Sequence, residues 1–395
     1  MKTKQANTVF PARMTCAAVA ATLALALPNL EAVRPSHPQT GRYPTFELDP
    51  SWPRQLPKNY VMGDPGGVAV DSHDHVWIYS RQRSVNPEFL GLTKNPPTSV
   101  CCTYAPAVAE FDQDGNFVQG WGGPLTPTPD AGKYEWPENE HGITVDYKDN
   151  IWICGYGRNA EQKKDDNHCL KFTRDGKFLM QIGRSGQSTG SADTANLNHA
   201  TQVFVWPKTN EAFISDGYVN RRVIVFDADT GTFKRMWGAY GNPPDDSAPR
   251  TRVFEGPGPQ QFNNVHGIQI SNDGLVYVND RQNNRVQVFT IEGTFVKEAF
   301  IARETQSNFG TSFSLAFSAD EDQRFLYVAD LANFRVEVLD RQTLQIIPEA
   351  AFGRAGVYPG QFLRLHVIAS DSRGNVYTSE ANGARVQKWV FTGIR

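Results

Sequence analysis

Apolar and polar residues alternate along most of the chain after residue 43, in short runs that end at turn sequences. Between Val265 and Phe289 the alternation runs through VHGIQI, breaks at SNDG, resumes in LVYVND and returns in RVQVF. A period of two residues, interrupted by Asn, Asp and Gly, is typical of antiparallel strands joined by tight turns. The pattern therefore predicts a β-meander.

This meander recurs along the chain as six copies of similar length. The copies begin at Gly66, His141, Thr201, His266, Phe313 and His366. A single small sheet cannot bury both of its faces, so repeated sheets are expected to pack around a common axis. We therefore predict an all-β fold, a six-bladed β-propeller that occupies residues 43–395. A β-sandwich, the alternative arrangement, does not account for six similar units.

The sixth copy lacks a sequence for its outermost strand, because it stops soon after its third strand at Phe391. The segment TFELDPSW, from Thr45 to Trp52, has the alternation of a strand. We predict that this segment pairs with the last copy, which would close the ring and remove an exposed sheet edge.

Histidine opens the first strand in alternate copies, at His141, His266 and His366. First strands line the central channel of a propeller, and alternate blades of a six-fold ring lie about 120° apart, so the three imidazoles should converge on the axis. Three neutral nitrogen ligands with an open fourth position are typical of catalytic zinc. The pattern predicts a zinc site on the axis; the alternative is that each imidazole hydrogen-bonds channel water. The remaining histidines, including His168, are predicted to lie at the surface.

The N-terminal segment has the features of a secretory signal peptide. Lys2, Lys4 and Arg13 precede the apolar run from Cys16 to Leu27, and small-residue cleavage after Ala32 would follow. We therefore expect residues 1–32 to be a signal peptide and the mature protein to be secreted or periplasmic, with no membrane span after cleavage. The net charge is −3 with acidic and basic residues mixed, which argues against a nucleic-acid surface.

Four cysteines follow the leader, and they permit three disulfide pairings. An exported protein is expected to contain disulfides. A bridge between the neighbours Cys101 and Cys102 would be strained, so the pairing of Cys154 with Cys169 is favoured.

Several short motifs carry a likeness to a known family. HGITV and VHGIQI around two of the histidines, SDGYVN in the third copy and NDRQNNRVQVF in the fourth resemble the NHL-repeat propeller of peptidyl-α-hydroxyglycine α-amidating lyase. The resemblance implies a zinc-dependent C–N lyase that converts an α-hydroxyglycine carbinolamide to an amide and glyoxylate. The zinc ligands would be His141, His266 and His366.

The resemblance also implies roles for three further residues. Tyr218 would act beside the metal and take the proton of the substrate hydroxyl, with zinc and two guanidiniums favouring its phenolate. Arg81 and Arg281 would clamp the substrate carboxylate and balance the developing charge. The alternatives are that Tyr218 is a channel-wall aromatic bonded to backbone, and that the arginines form ion pairs with Asp216 or Asp280.

Other arginines recur at one repeat position and are therefore predicted to be architectural. Each precedes the valine that opens a third strand: Arg222, Arg285, Arg335 and Arg385. Arg281 and Tyr218 break the repeat, which favours a functional role for them.

Two positions depart from the family pattern, which has methionine and aspartate where this chain has Arg364 and Val367. The aspartate contributes to a calcium site whose other ligands are carbonyls, here matching Val68 and Ile143. Calcium is doubtful without that carboxylate, because neutral carbonyls alone hold a hard cation weakly. Arg364 adds a positive charge near the metal, where it is expected to bind substrate and alter substrate choice.

Two other functions stay open at this point. The same three-histidine platform would serve another metal-dependent hydrolase or lyase, and many NHL-repeat propellers only bind partners. The long insertion from Asn86 to Pro106 in the first copy is expected to overhang the channel mouth and shape a pocket for a small or peptide-derived substrate.

Overall fold

The computed structural model describes residues 42–395 apart from positions 160, 162 and 163, and the predicted signal peptide lies outside this range. Residues Arg42–Arg395 form one compact unit. Within it, six antiparallel meanders are arranged as the blades of a propeller. The innermost strand of each blade contacts that of the next, and the innermost strand of the sixth blade contacts that of the first.

Each blade is built from consecutive strands, numbered outwards from the axis. Blade one has Asp64–Val70, Val76–Arg81, Val108–Phe111 and Phe117–Trp121. Blade two has Glu140–Val145, Ile151–Gly155, His168–Phe172 and Phe178–Gly183. Blade three has Ala200–Trp206, Glu211–Asp216, Arg222–Asp227 and Phe233–Trp237. Blade four has Val265–Ile270, Val276–Asp280, Arg285–Phe289 and Phe295–Phe300. Blade five has the three strands Ser314–Phe317, Phe325–Asp330 and Arg335–Asp340. Blade six has Leu365–Ser370, Val376–Glu380, Arg385–Ile394 and Pro44–Asp49.

Short elements decorate the loops between these strands. The two-residue strands pair as Tyr60–Val61 with Thr103–Tyr104 and Arg158–Asn159 with Lys164–Asp165. The insertion in blade one thus bonds to the segment that precedes this blade. Single 3₁₀ turns occur at Gln82–Ser84, Pro87–Phe89, Gly91–Thr93, Ala239–Gly241, Arg281–Asn283 and Pro348–Ala350. In the described part of the chain, no helix has the length and hydrophobicity needed to cross a bilayer.

The outermost strand of blade six comes from the start of the described chain, as predicted. Pro44–Asp49 pairs antiparallel with Arg385–Ile394. Phe46 anchors this strand against Phe352 and Phe391. Closure therefore joins the two ends of the propeller within one sheet and protects the edge of the final strand.

The core consists of six apolar clusters, each between two neighbouring blades. The second and third strands are buried on both faces, as the runs VWIYS and RVIVF show. Alternating side chains from one blade pack against those of the next, so every blade depends on two neighbours for burial.

Three of the four predicted architectural arginines form ion pairs with the acidic residue that ends the second strand of their own blade. These pairs are Arg222 with Asp216, Arg285 with Asp280, and Arg385 with Glu380. Arg335 differs, because its side chain is half-exposed and pairs with Glu337. The pairing in blades three and four consumes both carboxylates that were considered as partners for the candidate functional arginines.

The disulfide expectations were right for one pair and wrong for the other. Cys154 and Cys169 lie directly opposite each other on neighbouring strands of blade two and are bonded, with Cα atoms 4.4 Å apart. Cys101 and Cys102 are also bonded to each other, across a cis peptide bond. The surface prediction for His168 was wrong as well, because its strand is covered by neighbours on both faces and only 1% of the residue is exposed.

Candidate metal centre

The three predicted histidines converge on the propeller axis and are buried. Their ring centroids lie 4.7 Å (His141–His366), 4.8 Å (His141–His266) and 5.0 Å (His266–His366) apart. The Nε2 atoms of His141 and His266 are separated by 3.2 Å. One ligand atom from each residue falls within 4.8 Å of the others, so the triad can hold a metal ion.

A β-bulge directs each of these side chains. In blade four, Val265 pairs with Asp280 and Gly267 pairs with Asn279, so His266 is an extra residue without a partner. The inner strands that carry His141 and His366 shift register at the same place. A bulge bends the strand locally and re-aims the side chain of its extra residue. The local backbone therefore turns all three imidazoles towards the axis.

The Nδ1 atom of each imidazole is bonded to a backbone carbonyl oxygen of the following blade. The partners are Thr201 for His141 (3.0 Å), Phe313 for His266 (2.7 Å) and Gly66 for His366 (2.9 Å). A carbonyl can only accept, so Nδ1 carries the proton and Nε2 presents its lone pair to the axis. These three acceptors occupy, in blades three, five and one, the repeat position that histidine occupies in the other blades.

The imidazoles are neutral at physiological pH. Burial, assisted by the charge of Arg81, lowers the pKa of His141 to about 3. Burial and the neighbouring imidazoles hold the pKa values of His266 and His366 well below the usual range. Lone pairs that face each other at this spacing repel, and a cation among them removes the repulsion. The donor set of three neutral nitrogens thus fits a divalent transition metal better than channel water.

Gly142 explains why glycine follows histidine in the HGITV motif. A Cβ atom at this position would overlap the carbonyl oxygen of Thr201, the same atom that accepts the Nδ1 proton of His141. The absence of a side chain lets blade three approach closely enough to orient this imidazole.

Tyr218 lies against the triad. Its Oη atom is 3.2 Å from Nε2 of both His141 and His266, and it accepts a hydrogen bond of 3.1 Å from Nη1 of Arg281. The turn that carries it packs closely on blade four, since a Cβ at Gly217 would overlap the backbone of Val265. The hydroxyl therefore bonds to side chains of the site, in contrast to the backbone-bonded alternative.

Burial raises the pKa of Tyr218, and the charges of Arg281 and Arg81 offset only part of this rise. The two guanidiniums alone therefore do not produce the expected phenolate. Without a cation at the triad, the side chain is a neutral phenol that donates to an imidazole lone pair and accepts from Arg281.

Arg81 and Arg281 extend from opposite blades of the ring. Nε of Arg281 donates to the carbonyl of Phe309 (2.7 Å), and its guanidinium lies 4.3 Å from the ring centre of Phe313. Arg81 donates to the carbonyls of Glu140 (2.9 Å) and Ala381 (3.2 Å). Among the residues that the structure describes, neither arginine forms an ion pair with a carboxylate. Both keep their charge available for an anionic ligand.

Tyr156 is a member of the site that the sequence analysis missed. Its ring stacks on that of Tyr218, with centroids 4.6 Å apart and planes inclined by 18°. The guanidinium of Arg81 lies 5.6 Å from its ring centre. Arg81, Tyr156, Tyr218 and Arg281 all stand at or just after the end of the second strand, in blades one to four. Comparing that position across the repeats would have identified Tyr156.

The two departures from the family pattern have different surroundings. Arg364 directly precedes the inner strand of blade six, where Nη1 donates to Asn382 (3.2 Å) and the guanidinium lies 4.8 Å from the ring centre of Phe309. Val367 is buried in the apolar cluster between blades six and one, together with Val68. The structure thus uses Val367 for packing, and its surroundings do not favour calcium.

A second group of potential metal ligands, Asp71, His75 and Glu110, lies between blades one and two. Arg174 forms ion pairs with both carboxylates, and Trp77 donates to Asp71 at 2.9 Å. These contacts neutralise the acidic charge, so the group is an ion-pair network that ties two blades together.

Comparison with known proteins identifies an NHL repeat at residues 262–289. NHL repeat-containing protein 3 of Homo sapiens is 25% identical over 352 residues, which cover 87% of this chain and 84% of that protein. Peptidyl-glycine alpha-amidating monooxygenase B of Xenopus laevis is 31% identical over 361 residues, which cover 88% of this chain and 35% of that protein. A Caenorhabditis elegans protein designated a probable peptidyl-alpha-hydroxyglycine alpha-amidating lyase is 24% identical over 341 residues, 82% of each chain.

Proposed function

We propose, on the premise that the chain is an NHL-repeat propeller resembling the amidating lyases, that it is a secreted or periplasmic zinc-dependent lyase. Its substrate would be an N-acyl-α-hydroxyglycine, cleaved at the C–N bond to a primary amide and glyoxylate. The observation that carries the proposal is the position of Tyr218 Oη, which lies within 3.2 Å of two Nε2 atoms and 3.1 Å of Arg281. A tyrosine hydroxyl between a metal-type triad and a free guanidinium is placed to move a proton.

The zinc ligands are His141, His266 and His366, whose Nε2 lone pairs face one another. Zinc bound there supplies Lewis acidity, which makes both a nearby substrate hydroxyl and the Tyr218 phenol more acidic. The carbonyl partners of the three Nδ1 atoms keep the rings oriented while the cation is bound.

Tyr218 acts as the base and then as the acid. Its Oη, as phenolate, takes the proton of the substrate hydroxyl, and the electron pair left on oxygen forms the carbonyl of glyoxylate. The C–N bond breaks, and its electron pair stays on the amide nitrogen. The same proton then passes from Oη to that nitrogen, so the amide leaves neutral and Tyr218 returns to its starting state.

Arg281 and Arg81 bind the carboxylate of the substrate. Both guanidiniums are held by backbone carbonyls on other loops, which fixes their direction without neutralising them. A carboxylate bound between them would place the adjacent carbinol carbon over the triad and close to Tyr218 Oη. Charge-assisted hydrogen bonds from arginine also favour the negative charge that develops during cleavage.

Export is part of the proposal. Residues 1–32 would act as the signal peptide, and the bonded pair Cys154–Cys169 is expected in an oxidising compartment.

A non-catalytic binding propeller is the competing function. The relative from Homo sapiens is named only for its NHL repeats, and it matches this chain over most of its length. Another metal-dependent lyase or hydrolase reaction at the same triad is the further alternative.

The test combines elemental analysis with a glyoxylate-release assay. The purified mature protein would be compared with His266→Ala and with His73→Ala, a control that removes a histidine whose side chain is 60% exposed. We expect near-stoichiometric zinc and glyoxylate release in the wild type and control, and loss of both in His266→Ala. Zinc without glyoxylate would favour another reaction at this site. Absence of any bound metal would favour the binding propeller and contradict the lyase.

A further inference from the structure

Three arginines surround the mouth of the site without a carboxylate partner in the described residues, although the proposed reaction needs to bind only one carboxylate. Arg81 and Arg281 extend from blades one and four, and Arg364 stands at the entry to blade six. The architectural arginines, by contrast, are paired, as Arg222 and Arg285 are with buried aspartates. One guanidinium is therefore left over after the proposed clamp is filled.

Arg364 and Arg281 are brought together by one residue, Phe309. The carbonyl oxygen of Phe309 accepts from Nε of Arg281 at 2.7 Å, and its ring lies 4.8 Å from the guanidinium of Arg364. The two cations are close enough for Arg364 to be among the charges that lower the pKa of Arg281, after burial as the larger cause. The loop between blades four and five thus positions two like charges side by side.

The residues around Arg364 do not balance its charge. Its Nη1 donates to the neutral amide of Asn382, and its Nε is buried without a hydrogen-bond partner. The carboxylate of Asp64 interacts with both Arg364 and Arg81, but burial raises its pKa and its Oδ1 accepts from the backbone N–H of Ala384 at 3.1 Å. A pair of neighbouring guanidiniums with an unused donor is a natural site for an anion.

The position of this pair indicates which part of a ligand it would meet. Phe309 and Leu363, next to the two arginines, are 45% and 43% exposed, so the pair lies at the solvent side of the mouth. The carbinol end of a substrate would be held below, at Tyr218. The acyl portion would extend outwards past Phe309.

We propose that Arg364, together with Arg281, forms a second anion subsite, and that the preferred substrate is an N-acyl-α-hydroxyglycine whose acyl group carries its own carboxylate. This inference rests on the proposed lyase function for its substrate but not for the subsite itself. Arg364 acts in it as a specificity-determining residue that touches the acyl portion and not the reacting atoms.

The test compares N-succinyl-α-hydroxyglycine with N-butanoyl-α-hydroxyglycine, which has an acyl chain of the same length without the second carboxylate. We expect the wild type to favour the succinyl substrate by about tenfold or more in kcat/KM, the effect of one charge-assisted contact. Arg364→Met should lose about this factor for the succinyl substrate and change less than about threefold for the butanoyl substrate. Arg364→Lys, which keeps the charge but not the fork, should retain part of the preference.

Arg354→Met is the matched control, because Arg354 is an exposed arginine of the connection between blades five and six and its removal changes the net charge equally. It should leave the ratio of the two substrates unchanged. Equal loss for both substrates in Arg364→Met would overturn the proposal and assign Arg364 to the glyoxylate carboxylate. An unchanged ratio in that variant would overturn it as well.

Calorimetric titration with succinate and with butyrate separates failure of this inference from failure of the lyase proposal. Succinate should bind the wild-type protein more tightly than butyrate, and Arg364→Met should remove the difference. If neither hydroxyglycine is cleaved, the lyase proposal fails, whereas a succinate preference lost in Arg364→Met would still support the subsite. Equal binding of succinate and butyrate by the wild type would refute it.

Discussion

The sharpest prediction concerns Tyr218→Phe, which removes one oxygen atom from the site. The ring of phenylalanine would keep the stack on Tyr156 and the contact with the guanidinium of Arg281, whose carbon lies 5.4 Å from the ring centre. The three imidazoles and their carbonyl partners are untouched, so zinc content should not change. The substitution therefore isolates the contribution of the hydroxyl.

Its expected magnitudes follow from the two things that Oη does. As proton acceptor for the substrate, it is expected to contribute about 10²–10⁴ in kcat. As partner of Arg281, it satisfies Nη1 of a guanidinium that is only 7% exposed, and leaving that donor unpaired should cost roughly 1–3 kcal/mol of unfolding free energy. Nε of Arg281 keeps its bond to Phe309, which should hold the side chain in place.

The assay is glyoxylate release at saturating N-acyl-α-hydroxyglycine, with zinc content and thermal unfolding measured on the same samples. Tyr147→Phe is the control, because Tyr147 is 45% exposed and its hydroxyl bonds to Asn210 on the surface. A kcat for Tyr218→Phe within about tenfold of the wild type, with zinc retained, would refute the role of Tyr218 as base. Loss of zinc would show that the three histidines alone do not hold the metal.

Three further predictions follow from the geometry of blade two and the triad. Gly142→Ala should push blade three away from His141 and lower zinc content and kcat together; normal zinc by elemental analysis would contradict the role of this close approach. In metal-free protein the folded pKa of His141 is depressed to about 3, so its neutral form contributes stability above the unfolded pKa of about 6.5, and this is lost at roughly 1.4 kcal/mol per pH unit as pH falls from there towards 3. Denaturant unfolding from pH 7 to 4 should therefore show the wild type losing stability relative to His141→Gln, and a constant difference would contradict this. Replacing Cys154 and Cys169 together by alanine should cost up to roughly 3 kcal/mol, as expected for a bridge with a sequence separation of 15, measured by denaturant unfolding without reductant; an unchanged midpoint would contradict it.

The propeller, its closing strand and the convergence of the histidines could all be predicted from the chain. Alternation with period two is a property of neighbouring residues, so it is visible without knowledge of the fold. Repetition then supplied the architecture, because six meanders that cannot bury themselves must pack around an axis. Histidine at one repeat position in alternate copies placed the three imidazoles on that axis.

Contacts between blades could not be predicted in the same way, because they join residues far apart in sequence through distances that only packing sets. Tyr156 escaped notice because its importance comes from stacking on Tyr218 in the next blade. The raised pKa of Tyr218 also depends on burial by surrounding blades, which outweighs the arginine charges that the sequence does show. The burial of His168 has the same origin.

The sequence by itself determined which residue types stand at each repeat position, and hence the fold and the donor set of the candidate metal centre. Tertiary structure alone decided which carbonyl oxygen orients each imidazole, which arginines are consumed by buried aspartates, and which are left facing the mouth. Arg222 and Arg281 illustrate the difference: Arg222 meets the carboxylate of Asp216, whereas Arg281 meets the hydroxyl of Tyr218. The physical reason is that side-chain chemistry is carried by each residue, but solvation and partner distance are properties of the packed ring.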